Sequence, residues 1–253
     1  MMVIATMTAC APSVQPPDEA LMQGTTNVLP TAVPDPSDDS DASEETDTDT
    51  SVQIPEMTPQ NVLTLTDAQK QAILDKYLPD LKSYQTINAD VTAILQIPNL
   101  GISQPVVKSV TNDQYLRQAL NGTYSKYGTL FFDQGMEDFN DRNLIIYGHN
   151  TDNGSMFAPL PQTTDQAVFD QTVALLITEN SVYFYLPYVV YETKDLDRYI
   201  QNNPESLTQV VVEDSLTAST YASILSDSQM LTLSTRYTGS KADTRFVLQF
   251  LRV

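Results

Sequence analysis

The chain has 253 residues, 41% hydrophobic and 18% charged, which suits one globular core of ordinary size plus a tail. Its formal net charge is −19, unevenly placed: residues 1–60 hold eleven of the 32 acids and none of the 13 bases, leaving 21 acids against 13 bases beyond them. That balance argues against nucleic acid as a partner and against adsorption of the N-terminal segment to anionic lipid headgroups. The single cysteine, Cys10, excludes an intramolecular disulfide, and the lack of any run of about 18 apolar residues excludes a transmembrane helix.

Residues 1–10 are a short apolar stretch ending Thr8-Ala9-Cys10. They resemble the tail of a bacterial lipoprotein signal, truncated and with no basic residue ahead of it. On that likeness Cys10 is lipidated and becomes the mature N-terminus, the alternative being a chance Ala-Cys pair. Residues 11–60 are rich in Pro, Ser, Thr and Asp and hold no aromatic residue. Such a segment buries too little apolar surface to offset its ordering entropy, so it reads as a disordered acidic linker. A folded domain over 61–253 follows.

Order is expected from about Thr66. Thr66-Asp67-Ala68-Gln69 has capping-box spacing, and Ile73, Leu74, Tyr77, Leu78 and Leu81 form a helical apolar stripe. Pro79 should end or kink that helix. Val91, Ala93, Leu95 and Ile97 alternate as in a half-buried strand, stopped by Pro98-Asn99. Further strands are expected over Ile102–Val110, Gly128–Asp133, 143–147, 172–179, 181–193, Gln229–Ser234 and Arg245–Val253. Short helices are expected over Asp113–Leu120, Asp197–Asn202 and Thr217–Leu225, with a helical turn at Ser155–Leu160. Many short strands with few, short helices predict a mainly β fold, a barrel or sandwich with helical insertions. The aromatic run Tyr183-Phe184-Tyr185, with Tyr188 and Tyr191, reads as strand core and strand surface. Asp133, Glu137, Asp138 and Asp141 follow no calcium-loop spacing and are expected to form a solvated loop; no metal or cofactor is expected.

The only histidine, His149, sits just past the apolar run Leu144–Tyr147, behind Gly148, which is expected to let the backbone turn. A side chain at a strand end is well placed for chemistry, although a lone histidine is equally a satisfied structural residue.

Several segments together resemble the class B sortases, cysteine transpeptidases of Gram-positive bacteria. They are Ile97-Pro98, Gln104-Pro105-Val106-Val107, Asn112 to Leu116, Gly128 to Asp133, Asn143 to Asn150 with Gly154 to Phe157, and Leu231-Thr232-Leu233-Ser234-Thr235. The likeness runs collinearly over roughly residues 66–253. It implies a closed β-barrel of about eight strands with an N-terminal helix and short helical insertions. It further implies a site in which a cysteine attacks a sorting-signal peptide, a histidine serves as acid and base, and an arginine steadies the oxyanion. His149 matches the family histidine and Arg245 the family arginine, roles that suit an imidazole and a permanently charged guanidinium. The family block ends in cysteine, however, and here the corresponding position is Arg236. A guanidinium stays protonated and is no nucleophile. Ser234 should share a strand face with position 236 but sit about 6.5–7 Å along the strand, and Thr235 should face the other way.

Three readings follow. The chain is a catalytically impaired pseudo-sortase on the extracytoplasmic face of a Gram-positive membrane, held there by a lipid anchor on Cys10 and still binding a sorting-signal-like peptide or surface protein. Or it is an active sortase B anchoring proteins to the cell wall, with Arg236 a sequence error or a recent single-base change. Or it is a structural or interaction module.

Overall fold

The computed structural model describes residues 52–197, 199–202, 215–219, 229–237 and 243–253. Cys10 and the acidic segment up to residue 51 lie outside the described residues, as do 220–228. Order begins ahead of the expected boundary. Thr58 caps a short helix, α1 (Pro59–Val62), its hydroxyl accepting from Asn61 N at 3.3 Å. Ile54, Met57, Val62 and Leu65 pack onto the same apolar cluster as the next helix, so residues 52–60 are not linker: their few apolar side chains have a surface to cover.

Helix α2 (Asp67–Ile87) starts at the expected capping box: Gln69 N donates to Thr66 Oγ1 at 3.2 Å and Thr66 N to Gln69 Oε1 at 3.0 Å. It does not end at Pro79. Pro79 and Asp75 are both exposed, so water satisfies the carbonyl that loses its donor. Leu81, fully buried just beyond the proline, anchors the rest of the helix.

The strands are β1 (Val91–Ile97), β2 (Ile102–Lys108), β3 (Leu130–Phe132), β4 (Asn143–Tyr147), β5 (Ala174–Ile177), β6 (Val182–Thr193), β7 (Thr217–Ala218), β8 (Met230–Arg236) and β9 (Arg245–Arg252). They pair in the order β5-β1-β2-β3-β4-β8-β9-β6, and β6 returns to β5, closing an eight-stranded barrel with β7 on the flank of β6. Pro187 sits where the β6–β9 register shifts, at a bulge that needs no donor from it. The barrel interior is filled from alternate positions, among them Ala93, Leu95, Phe132, Leu144, Ile146, Tyr185, Leu231, Leu233, Phe246 and Leu248.

Four expected helices are corrected. Asp113–Leu120 holds only a single 3-10 turn, Gln114–Leu116. The turn expected at Ser155–Leu160 comes later, as a 3-10 segment Leu160–Thr164 leading into α3 (Gln166–Phe169). Residues 199–202 form a turn that gives its backbone groups to β4, and at the start of the expected helix Thr217–Leu225, Thr217–Ala218 pair with Val189–Val190 as a strand, 220–225 lying outside the described residues. In each case contacts with the barrel override a weak local helix signal. The aromatic run is strand core and surface: Phe184, Tyr185 and Tyr191 are buried, Tyr183 and Tyr188 partly so.

Candidate functional site

Strand β4 turns Leu144 and Ile146 into the barrel and Ile145 outward, so Asn143 and Tyr147, which share its parity, also face out. It runs parallel to β8 with Tyr147 opposite Ser234, and Gly148 N donates to Ser234 O at 3.2 Å, carrying the ladder past the strand end. His149 is therefore level with Arg236, and the antiparallel register of β8 with β9 sets Arg236 opposite Arg245. Arg236 and Arg245 thus stand opposite each other on adjacent strands about 4.8 Å apart, and His149, two residues past the end of β4, continues that row on the outer face. Gly148 is required for a reason other than the expected turn. A Cβ there would fall 2.3 Å from Leu130 Cδ2 and 2.7 Å from Phe157 Cδ2, and its φ is not in the left-handed region.

His149 is half-buried, and its Nε2 lies 2.9 Å from the carbonyl of Leu116. A carbonyl only accepts, so Nε2 carries the hydrogen and Nδ1 keeps the lone pair of the neutral ring. Burial pushes the imidazole below its ordinary range, and the charges of Arg117 and Arg245 push it the same way, against the Leu116 hydrogen bond. The Leu116 carbonyl is itself held firmly. Tyr115, buried beside it, donates to Asp90 Oδ2 at 2.6 Å and accepts from Asn88 Nδ2 at 2.9 Å. Gly128, at φ +66°, lets Tyr115 O approach to where a Cβ would stand 2.2 Å away.

Arg236 is exposed and Arg245 half-buried. Among the described residues no carboxylate lies within ion-pair distance of either. Like charges directly opposite across a strand pair are unfavourable. The hydroxyls nearby are buried. Ser234 does share the outer face, but it is 2% exposed and its Oγ is 2.9 Å from Tyr199 Oη rather than on His149. Thr235, as expected, is on the opposite face and buried. Cys10, the single sulfhydryl of the sequence, lies outside the described residues.

Tyr199 and Tyr147 wall the row. Burial raises the phenol of Tyr199, against the Ser234 hydrogen bond and the Arg245 charge. Burial and the carboxylate of Asp133 raise Tyr147, whose hydroxyl donates to Asp133 Oδ2 at 2.9 Å. Both phenols stay neutral at any ordinary pH. Asp133 also accepts from Asn112 Nδ2 at 2.8 Å and Gly135 N at 2.8 Å, and Asp141 from Glu137 N at 2.8 Å. The expectation of a solvated acidic loop is therefore corrected for these two: both are buried and organise the turn through backbone and side-chain donors. Among the described residues no group of three His, Cys, Asp or Glu side chains could hold a metal ion.

Sequence reasoning missed Tyr199, Arg117 and the Leu116 carbonyl. Tyr199 lies in a segment read as a helix, and it is brought to the site by Asn143. The side chain of Asn143 donates to Tyr199 O at 3.0 Å and Gln201 O at 2.9 Å, and its backbone N donates to Asn202 O at 2.8 Å. A polar residue at the first position of an apolar strand was the available signal.

No protein-family model matches the chain. Sortase B of Listeria monocytogenes is 34% identical over 101 residues, 40% of this chain and 41% of that protein. Sortase B of Staphylococcus aureus is 25% identical over 130 residues, 51% and 53% of the two chains. The matches thus span about half the length of these curated relatives. The barrel itself is of the sortase type: sortase B of Clostridium perfringens superposes with a TM-score of 0.61 at 26% identity, covering 68% of this chain and 98% of that one. A sortase B complexed with triglycine superposes at 0.63 and 22% identity, covering 72% and 91%. Fold and sequence together support a likeness to the class B sortases.

Proposed function

We propose that this sortase-like protein is catalytically impaired, binds a sorting-signal-like peptide along the outer face of β4, β8 and β9 and does not transfer it. The observation that carries this reading is the register of β8 on β9, which sets Arg236 opposite Arg245 at the place where the resemblance puts the nucleophile. A guanidinium there removes covalent catalysis and adds a second fixed donor, and two guanidiniums suit capture of a carboxylate, a peptide C-terminus or an acidic side chain. Peptide binding is supported by the solved sortase B complex with triglycine. The location belongs to the same proposal: an extracytoplasmic position through lipid on Cys10 rests on Thr8-Ala9-Cys10 and the acidic segment after it.

The test is fluorescence-detected binding of a sorting-type peptide to the full chain. Arg236→Ala should weaken binding by about 1.5–3 kcal/mol, the range for a hydrogen bond to a charged group. Lys76→Ala, on the exposed side of α2, should change nothing. Failure of any sorting-type peptide to bind would remove the proposal and leave a structural module.

A further inference from the structure

The row on the outer face has a third member whose charge is not fixed. His149 is level with Arg236 on the next strand, with Nε2–H committed to the Leu116 carbonyl and Nδ1 free to take a proton. Among the described residues, Arg117 from the 114–117 turn and Arg245 from β9 act on the ring by charge. Arg236 on β8 faces Arg245, whose charge also reaches Tyr147 and Tyr199. Asp152, in the loop that follows, is held by the Tyr127 hydroxyl at 2.7 Å and by Lys126 at 3.5 Å. Among the described residues, the charged groups that act on the imidazole are thus both cations.

We propose that His149, Arg236 and Arg245 form one anion cradle that takes up a carboxylate-bearing peptide together with a proton. The inference rests on the peptide-binding reading above and adds its ligand chemistry and its regulation. Before an anion binds, burial first and then the charges of Arg117 and Arg245 lower the proton affinity of the imidazole. A bound carboxylate offsets their field, and a proton from solvent then adds to Nδ1 while Nε2–H stays on Leu116. By linkage, a ligand that raises proton affinity binds tighter when protons are abundant, so affinity falls as pH rises. The dependence comes from His149 because the two arginines remain charged throughout.

His149 is the chain's only histidine, so its ring proton signals in an NMR titration of the full chain are unambiguous. The probes are N-acetyl-triglycine, with a free carboxylate, and its C-terminal amide. With the carboxylate probe the His149 titration midpoint should move up, and affinity should rise from pH 8 to pH 6 by up to about tenfold per pH unit. The amide should do neither, and His149→Gln should flatten the profile for the carboxylate probe. A carboxylate probe that binds with an unmoved midpoint and a flat profile overturns this inference and leaves the peptide-binding reading standing. So does equal binding of acid and amide, or a profile still sloping in His149→Gln. No binding of the carboxylate probe or of a sorting-type peptide at any pH overturns both.

Discussion

The barrel has two covered outer faces, and they are built in opposite ways. Over β1, β3, β5 and the start of β6 lies α2, which sets Ile73, Leu74 and Leu81 against Ile94, Phe131, Leu175 and Phe184 in an apolar seam. Over β4, β8 and β9 lie short segments from distant parts of the chain, 114–117 and 199–202, tied down by hydrogen bonds to His149, Asn143 and Ser234 as well as by packing of Tyr199 and Ile200 with Ile145 and Val247. The first face is held by area, which is additive and insensitive to detail. The second adds to a smaller apolar cluster a set of donors and acceptors that must each be satisfied, and it sets Arg236 opposite Arg245. The proposed recognition row lies on this second face.

That contrast makes separable predictions. The largest effect belongs to the apolar face: Leu81→Ala, at a fully buried position, should cost about 2–5 kcal/mol in urea unfolding while the folded fraction keeps its peptide affinity. Asn143→Ala comes next. It strips donors from Tyr199 O and Gln201 O and an acceptor from Thr232 Oγ1, which donates to it at 2.7 Å. It should cost about 1–3 kcal/mol by the same assay, and unlike Leu81→Ala it should also weaken peptide binding, because Tyr199 loses its seat. The smallest effect is a gain. Arg236→Glu replaces a like-charge cross-strand pair by an opposite one and should stabilise by about 0.2–1 kcal/mol, shrinking with added salt, while abolishing anion binding. A stabilising variant that loses its ligand would separate the two faces most clearly.

The apolar side is readable in the sequence because its signals are local. Thr66 and Gln69 cap α2 within one turn, and the alternation of Val91 to Ile97 is a property of seven consecutive residues. His149, Arg236 and Arg245 are also legible, through their strand positions and the resemblance carried by the blocks around them. Their spatial row is not, because it needs the β4–β8 and β8–β9 registers together. Tyr199 and the Leu116 carbonyl stay hidden for the same reason. A backbone carbonyl has no sequence signature, and Tyr199 reaches Ser234, 35 positions away, only through closure of the barrel. Pro79 misleads in the opposite direction. Its effect on a helix depends on whether the freed carbonyl meets water, which burial decides and sequence does not.

The central claim is that Arg236 turns a transpeptidase site into a binding site, and product detection tests it most directly. The full chain is incubated with a sorting-type peptide and an amine nucleophile, followed by mass spectrometry of peptide and protein. The account predicts unreacted peptide and no acyl-enzyme for the native chain under conditions where binding is measurable. Arg236→Cys, which restores a thiol between His149 and Arg245, should in the same assay form a thioacyl adduct. A transfer product from the native chain would contradict the account.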